Sequence, residues 1–228
     1  MNEEAKTQKF FLIGIIGLGV LIIGGLVWAI MLPSGPTGPK VGSEVVFSDA
    51  NDPVLGPATS TVTVRIFGDF QCPACSLAEP GVTYARNTYG DRVRFVWNDF
   101  PLSSLHQNAM VSALAARCAE AQGKFWEYHD QLYKEQKVWS AQADPKDLFA
   151  KYAGDLGMNV SDFSSCYASK TYAQKIQDDV AEGTGDGVNS TPTFFINNKM
   201  FVGALEPSQW DKEITAELNA PAAPKQTE

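Results

Sequence analysis

Cys72 and Cys75 are separated by Pro73 and Ala74. Two cysteines at that spacing can close a small disulfide that exchanges with other thiols, or they can form half of a zinc site. The zinc reading needs a second such pair or two histidines a few residues apart. Neither follows, because the chain's two histidines, His106 and His129, stand far apart in sequence. Redox chemistry is the expectation, with no metal ligands and no cofactor beyond the cysteine pair.

The elements around the pair favour the same chemistry. Residues 61–67, Thr-Val-Thr-Val-Arg-Ile-Phe, are β-branched and alternating, which predicts a strand running through Gly68-Asp69-Phe70-Gln71 into Cys72. A helix is predicted next, with Pro73 in its first turn and its end near Tyr89, where Gly90-Asp91 turns the chain. Cys72 then sits among the unpaired N–H groups at the positive end of a helix dipole, which favours its thiolate. It is the expected nucleophile and leaving group, while Cys75, one turn inside, is shielded and acts second. Pro73 stiffens the turn. Asp69 is read as a solvated carboxylate at the strand end, with assistance to Cys75 as the alternative, and Gln71 as a surface residue beside the nucleophile.

Residues 92–97 predict a second strand. From 104 to 183 the pattern is amphipathic helix throughout, broken at Gly123, Asp144-Pro145 and 154–157. Phe125, Trp126, Tyr128, Leu132 and Tyr133 fall at helical spacings and are read as packing residues. Residues 193–196 and 200–202 flank Asn197-Asn198 as a hairpin, a last helix starts near Pro207, and the tail at 220–228 reads as disordered.

Residues 10–32 form an uncharged apolar run about as long as the ~20 residues that span a bilayer. The expectation is a single transmembrane helix. A cleaved signal peptide is the competing reading, but its apolar core is shorter and ends at a small-residue site absent here. Lys6 and Lys9 precede the run, so residues 1–9 are expected in the cytoplasm and the remainder outside. Residues 33–43, rich in Pro and Gly, read as a linker to a folded domain at 44–219. The formal charge of −8 lacks the basic footprint that nucleic acid requires. All four cysteines fall in the exported part, where disulfides persist. Four cysteines allow three pairings. Cys118 and Cys166 are the natural second pair, a structural disulfide, with two separate buried thiols as the alternative.

Phe67-Gly68-Asp69-Phe70-Gln71-Cys72-Pro73-Ala74-Cys75, the later Ser190-Thr191-Pro192-Thr193-Phe194, and Asp99-Phe100-Pro101-Leu102 together resemble the DsbA-like branch of the thioredoxin superfamily over about residues 52–218. The resemblance implies an α/β thioredoxin-like fold with an all-helical subdomain inserted at about 103–184. It further implies a cis Pro192 facing the cysteines, with Thr191 offering backbone hydrogen bonds to a bound substrate strand. The implied activity is the introduction of disulfides into reduced exported proteins, followed by reoxidation by a quinone-linked membrane partner of DsbB-like or VKOR-like type. Ala74 departs from the pattern, since the strongest oxidants of the family carry histidine there. A disulfide isomerase or reductase of the same fold is the alternative, and a non-enzymatic, chaperone-like binding module is a third reading.

Overall fold

The structure is a computed structural model that describes Phe47 and residues 51–220. The apolar run at 10–32, the linker at 33–43 and the tail beyond Ala220 lie outside the described residues. No helix among the described residues is long and apolar enough to cross a membrane.

Strand β1 (Val54–Leu55) is followed by β2 (Thr63–Gly68), helix α1 (Pro73–Tyr89) and β3 (Arg94–Asp99). A helical block comes next: α2 (Ala109–Glu120), α3 (Phe125–Lys134), α4 (Gln136–Trp139), α5 (Lys146–Asp155), α6 (Val160–Ser169) and α7 (Ala173–Gly185). The chain then returns as β4 (Thr193–Ile196), β5 (Lys199–Val202) and α8 (Pro207–Leu218). The sheet order is β1-β3-β2-β4-β5. This is the thioredoxin-like α/β fold with a helical insertion.

Register decides what meets at the sheet's functional end. β2 and β3 are parallel, with Gly68 opposite Asp99, and β4 runs antiparallel to β2 with Thr193 opposite Phe67. The start of β4 therefore lies beside the end of β2, which places Pro192 next to the segment leading to Cys72. From their second residue onward β2 and β3 are buried at every position. A central strand covered on both faces shows that pattern; α7 of the insertion packs against β3, and α8 packs against β4 and α1.

Both long strands begin two residues later than their sequence pattern suggests. The Ser60 hydroxyl accepts the Val62 N–H at 3.0 Å and lies 2.7 Å from the Arg92 carbonyl, so side-chain bonds replace the first rungs of the ladder. β1 was not expected, being too short to show any period. It is pinned by Gly56, whose φ of +95° and whose Cβ position, 2.2 Å from the Val93 carbonyl, exclude other residues. The hairpin turns on Asn197 at φ 49°, and the Asn197 side chain accepts from Thr63 N at 2.9 Å.

In the insertion, Cys118 on α2 is bonded to Cys166 on α6, with Cα atoms 5.8 Å apart. Where α2 and α7 approach β3, Arg117 is fully buried and donates to Asp99 at 2.5 Å, Asp179 at 2.6 Å and Asp52 at 3.3 Å. Lys175 bonds both Asp52 and Asp179, and Arg65 reaches Asp52 at 3.5 Å. Buried carboxylates of this kind persist only when paired.

Candidate redox site

The chain leaves β2 at Gly68, which has no room for a side chain because a Cβ would lie 2.2 Å from the Trp97 ring. Phe70 stacks on that ring at 4.7 Å, fixing the turn against the core. Cys72 is the N-cap of α1, in extended conformation, with Pro73 in the first turn and no acidic side chain there to oppose a thiolate. Its own N–H donates to the Asp69 carbonyl at 3.1 Å, and its carbonyl accepts from Ser76 N at 3.2 Å.

The two sulfurs are free and occupy unlike surroundings. Cys72 is 6 % exposed and Cys75 3 %. A hydrogen bond from the Cys75 thiol lowers the Cys72 pKa to about 5 against the opposing effect of burial, helped by Thr191 and by the N–H groups of Cys75 and Ala74. Cys75 is pushed well above the ordinary thiol value, first by burial and then by Cys72. One thiol is thus set up to be a thiolate and the other to hold its proton.

The Thr191–Pro192 peptide is cis and brings the Thr191 carbonyl to 3.5 Å from Cys72 Sγ. The Thr191 hydroxyl is buried without a partner, which leaves it free to donate to a thiolate. Ala74 is exposed and adds no charge beside the sulfur.

Asp69 requires a correction, because its side chain is buried instead of solvated. Its oxygens accept from Gln71 N at 2.8 Å and Leu102 N at 3.0 Å, and one lies 2.7 Å from His106 Nδ1. It acts as a clasp between the redox turn and the segment after β3. Gln71 is also more than a surface residue, since its side-chain Oε1 accepts from Asn108 N at 2.6 Å and its Nε2 donates to the Ser140 carbonyl at 3.3 Å.

Sequence reasoning missed Gln136. It is buried, and its amide donates to the carbonyls of Phe70 at 2.7 Å and Cys72 at 3.0 Å, so the insertion holds the redox turn directly. The signal was present: Gln136 is a polar residue continuing the buried stripe of Phe125, Tyr128, Leu132 and Tyr133. Glu79, His129 and Asp130 are the one trio among the described residues whose spacing could hold a metal. The Arg86 guanidinium already lies against all three, at 3.8, 3.4 and 2.8 Å, and supplies the positive charge there.

A thioredoxin fold with a CxxC at the head of α1 and a cis-proline beside it defines a thioredoxin-class protein. The chain belongs to the thioredoxin family, whose family model, described as "Thioredoxin", matches residues 48–216. Among solved structures, oxidised BdbD from Bacillus subtilis superposes with a TM-score of 0.67 at 22% identity, covering 76% of this chain and 96% of that one. A thioredoxin-like oxidoreductase from Silicibacter pomeroyi DSS-3 gives 0.64 at 26% identity, covering 75% and 95%. Alpha-DsbA1 from Wolbachia pipientis gives 0.66 at 19%, covering 77% and 96%. The fold is therefore DsbA-like. Among curated relatives, the Na(+)/H(+) antiporter NhaA 1 of Salinispora arenicola is 38% identical over 165 residues, 72% of this chain but 24% of the relative. The chain thus spans about a quarter of that relative's length.

Proposed function

We propose that the chain is a membrane-anchored, extracytoplasmic thiol–disulfide oxidoreductase that introduces disulfides into exported proteins through Cys72 and Cys75. The observation carrying this reading is the opposed tuning of the pair, with Cys72 lowered to about 5 and Cys75 raised. A thiolate that stable is a good leaving group, so a Cys72–Cys75 disulfide is readily attacked and a mixed disulfide at Cys72 readily resolved.

In the forward reaction a substrate thiolate attacks Cys72, and Cys75 departs. A second substrate thiolate then attacks the substrate sulfur of the mixed disulfide and releases Cys72. The substrate leaves oxidised and the pair reduced. Cys72 and Cys75 are the reacting groups, Pro73 and Ala74 shape their turn, and Thr191 and Pro192 face the incoming chain. Leu77 and Val138 are exposed on α1, which starts at Cys72, and on α4, which holds the Cys72 carbonyl through Gln136, and exposed apolar side chains there suit an unfolded polypeptide as substrate. Reoxidation falls to a quinone-linked membrane protein of DsbB-like or VKOR-like type, and anchoring through residues 10–32 raises the local concentration near it. The Cys118–Cys166 disulfide supports an oxidising compartment.

Acid-trapping and alkylation in growing cells, read by mass spectrometry for each cysteine pair, tests this reading. An oxidised Cys72–Cys75 pair is expected, whereas a wholly reduced pair would favour the isomerase or reductase alternative. Carbonate extraction of membranes tests the anchor, which requires the chain to stay in the pellet. Full oxidative turnover by Cys72→Ser would leave only the chaperone-like reading.

A further inference from the structure

Asp69 touches both cysteines through its backbone. Its carbonyl accepts from Cys72 N at 3.1 Å and from the Tyr133 hydroxyl at 3.4 Å. Its own N–H is hydrogen-bonded to Cys75 and works against burial, which pushes that thiol up. Two peptide groups of one residue thus bracket the redox pair.

The side chain holds that residue in place. It is buried, and one carboxylate oxygen accepts from Gln71 N at 2.8 Å, which closes a local Asx turn. The other oxygen takes two donors from the segment after β3, Leu102 N at 3.0 Å and His106 Nδ1 at 2.7 Å. Both reach one oxygen because the chain turns tightly there. Leu105 N and His106 N each donate to the Leu102 carbonyl, at 2.8 and 2.9 Å, which folds the imidazole back over Leu102. A carboxylate oxygen only accepts, so Nδ1 carries the ring proton and Nε2 lies on the far side of a ring that is 19 % exposed.

Opening the disulfide puts a charge in front of this arrangement. When a substrate thiolate bonds to Cys72 Sγ, the Cys72–Cys75 bond breaks and its electron pair remains on Cys75, a buried sulfur. An anion forming away from water is costly unless a donor already meets it. The Asp69 N–H is such a donor, and Cys75 afterwards takes one proton from water. No oxidant beyond the exchanging disulfide is involved.

We propose that His106 is a positioning residue for this step: by fixing the Asp69 carboxylate, it keeps the Asp69 N–H on Cys75 while negative charge forms there. The inference rests on the redox reading above. Attack by Cys72 lies outside the device, because Cys72 is tuned by Cys75, Thr191 and the N–H groups of Cys75 and Ala74.

The test uses the detergent-solubilised full chain with glutathione as the probe. The oxidised chain is mixed with excess reduced glutathione, and loss of the Cys72–Cys75 disulfide is read by acid quenching and mass spectrometry. His106→Gln places its amide near Nε2 and leaves the Nδ1 position empty. It should slow opening by about 10-fold, less than the roughly 100- to 1,000-fold lost when a charge-stabilising donor is removed outright. His106→Asn puts an amide nitrogen where Nδ1 stood and should recover most of the rate. Reaction of Cys72 with glutathione disulfide, followed in a Cys75→Ser background, should not respond to His106→Gln. Opening at the unsubstituted rate in His106→Gln, or equal slowing of both reactions, overturns the inference. An unsubstituted chain whose disulfide does not exchange with glutathione at all sinks the redox reading and this inference with it. Should the variants fold poorly, the Nδ1 proton signal of His106 in the unsubstituted chain decides: it must shift between oxidised and reduced cysteines, and an unmoved signal overturns the proposal.

Discussion

The carbonyl oxygen of Thr191 lies 3.5 Å from the sulfur of Cys72, across 119 residues of chain. That approach follows from the antiparallel pairing of β4 with β2. A substrate strand adding along residues 190–192 would bring its own sulfur to Cys72, so Thr191→Val should weaken mixed-disulfide formation and raise the Cys72 pKa by removing a donor. Absorbance of the thiolate as a function of pH reads the second effect directly.

The tuning of Cys72 also predicts a pH-dependent stability of the reduced chain. A thiol whose folded pKa is about 5, against an ordinary 9.0, contributes stability that is complete above pH 9 and is lost as pH falls through 5. Cys75, raised above 9.0, stays protonated in both states over that range and adds nothing. Urea unfolding of the reduced protein should therefore show its advantage over reduced Cys72→Ser shrinking from pH 8 to pH 5. An advantage constant with pH would show that the thiolate is not favoured.

Gln136→Leu removes both donors to the carbonyls of Phe70 and Cys72 without changing much volume. Leaving buried acceptors unmet costs about 1–3 kcal/mol. Chemical denaturation should register that loss, and exchange through Cys72 should slow because the turn is no longer held by α4.

Arg117→Ala strands Asp52, Asp99 and Asp179 in the interior, and about 3–5 kcal/mol of stability should go with it. Around this point three cations, Arg65, Arg117 and Lys175, face four carboxylates, those of Asp52, Asp99, Asp179 and Glu120. Burial, and next the charge of Asp99, push Asp179 up to about 7. For an acid with a raised folded pKa the favourable contribution is complete below 3.8 and is lost as pH rises through 7. Thermal melts should show the unsubstituted chain losing ground to Asp179→Asn between pH 5 and pH 8; parallel curves would refute the assignment.

Replacing Cys118 and Cys166 by serine opens a loop closed over a sequence separation of 48 and should cost about 4 kcal/mol in the chain-entropy account. Exchange at Cys72 should persist in the folded fraction. Calorimetry and a glutathione assay on the same sample separate the two effects.

Much of this was legible in sequence because it is local. The predicted helix runs from Pro73 to Tyr89 as found, since a proline at its start and a glycine after its end punctuate it. The Asn-Asn hairpin was readable for the same reason. Asp69 was misjudged because burial is set by Leu102 and His106, more than thirty residues away, and no local pattern reports them. β1 was missed on similar grounds, since a two-residue strand has no period, whereas Gln136 lay on a readable buried stripe whose spacing marks burial but not the carbonyls it meets.

Asp52 has a mechanical consequence. It lies two residues before β1 and is tied to Arg65, Asn98, Arg117 and Lys175. Tension arriving from the N-terminal side would reach this multi-point ionic anchorage before it could peel the short strand away from β3. The sheet beneath the cysteines is thereby insulated from a pull on the chain ahead of Asp52.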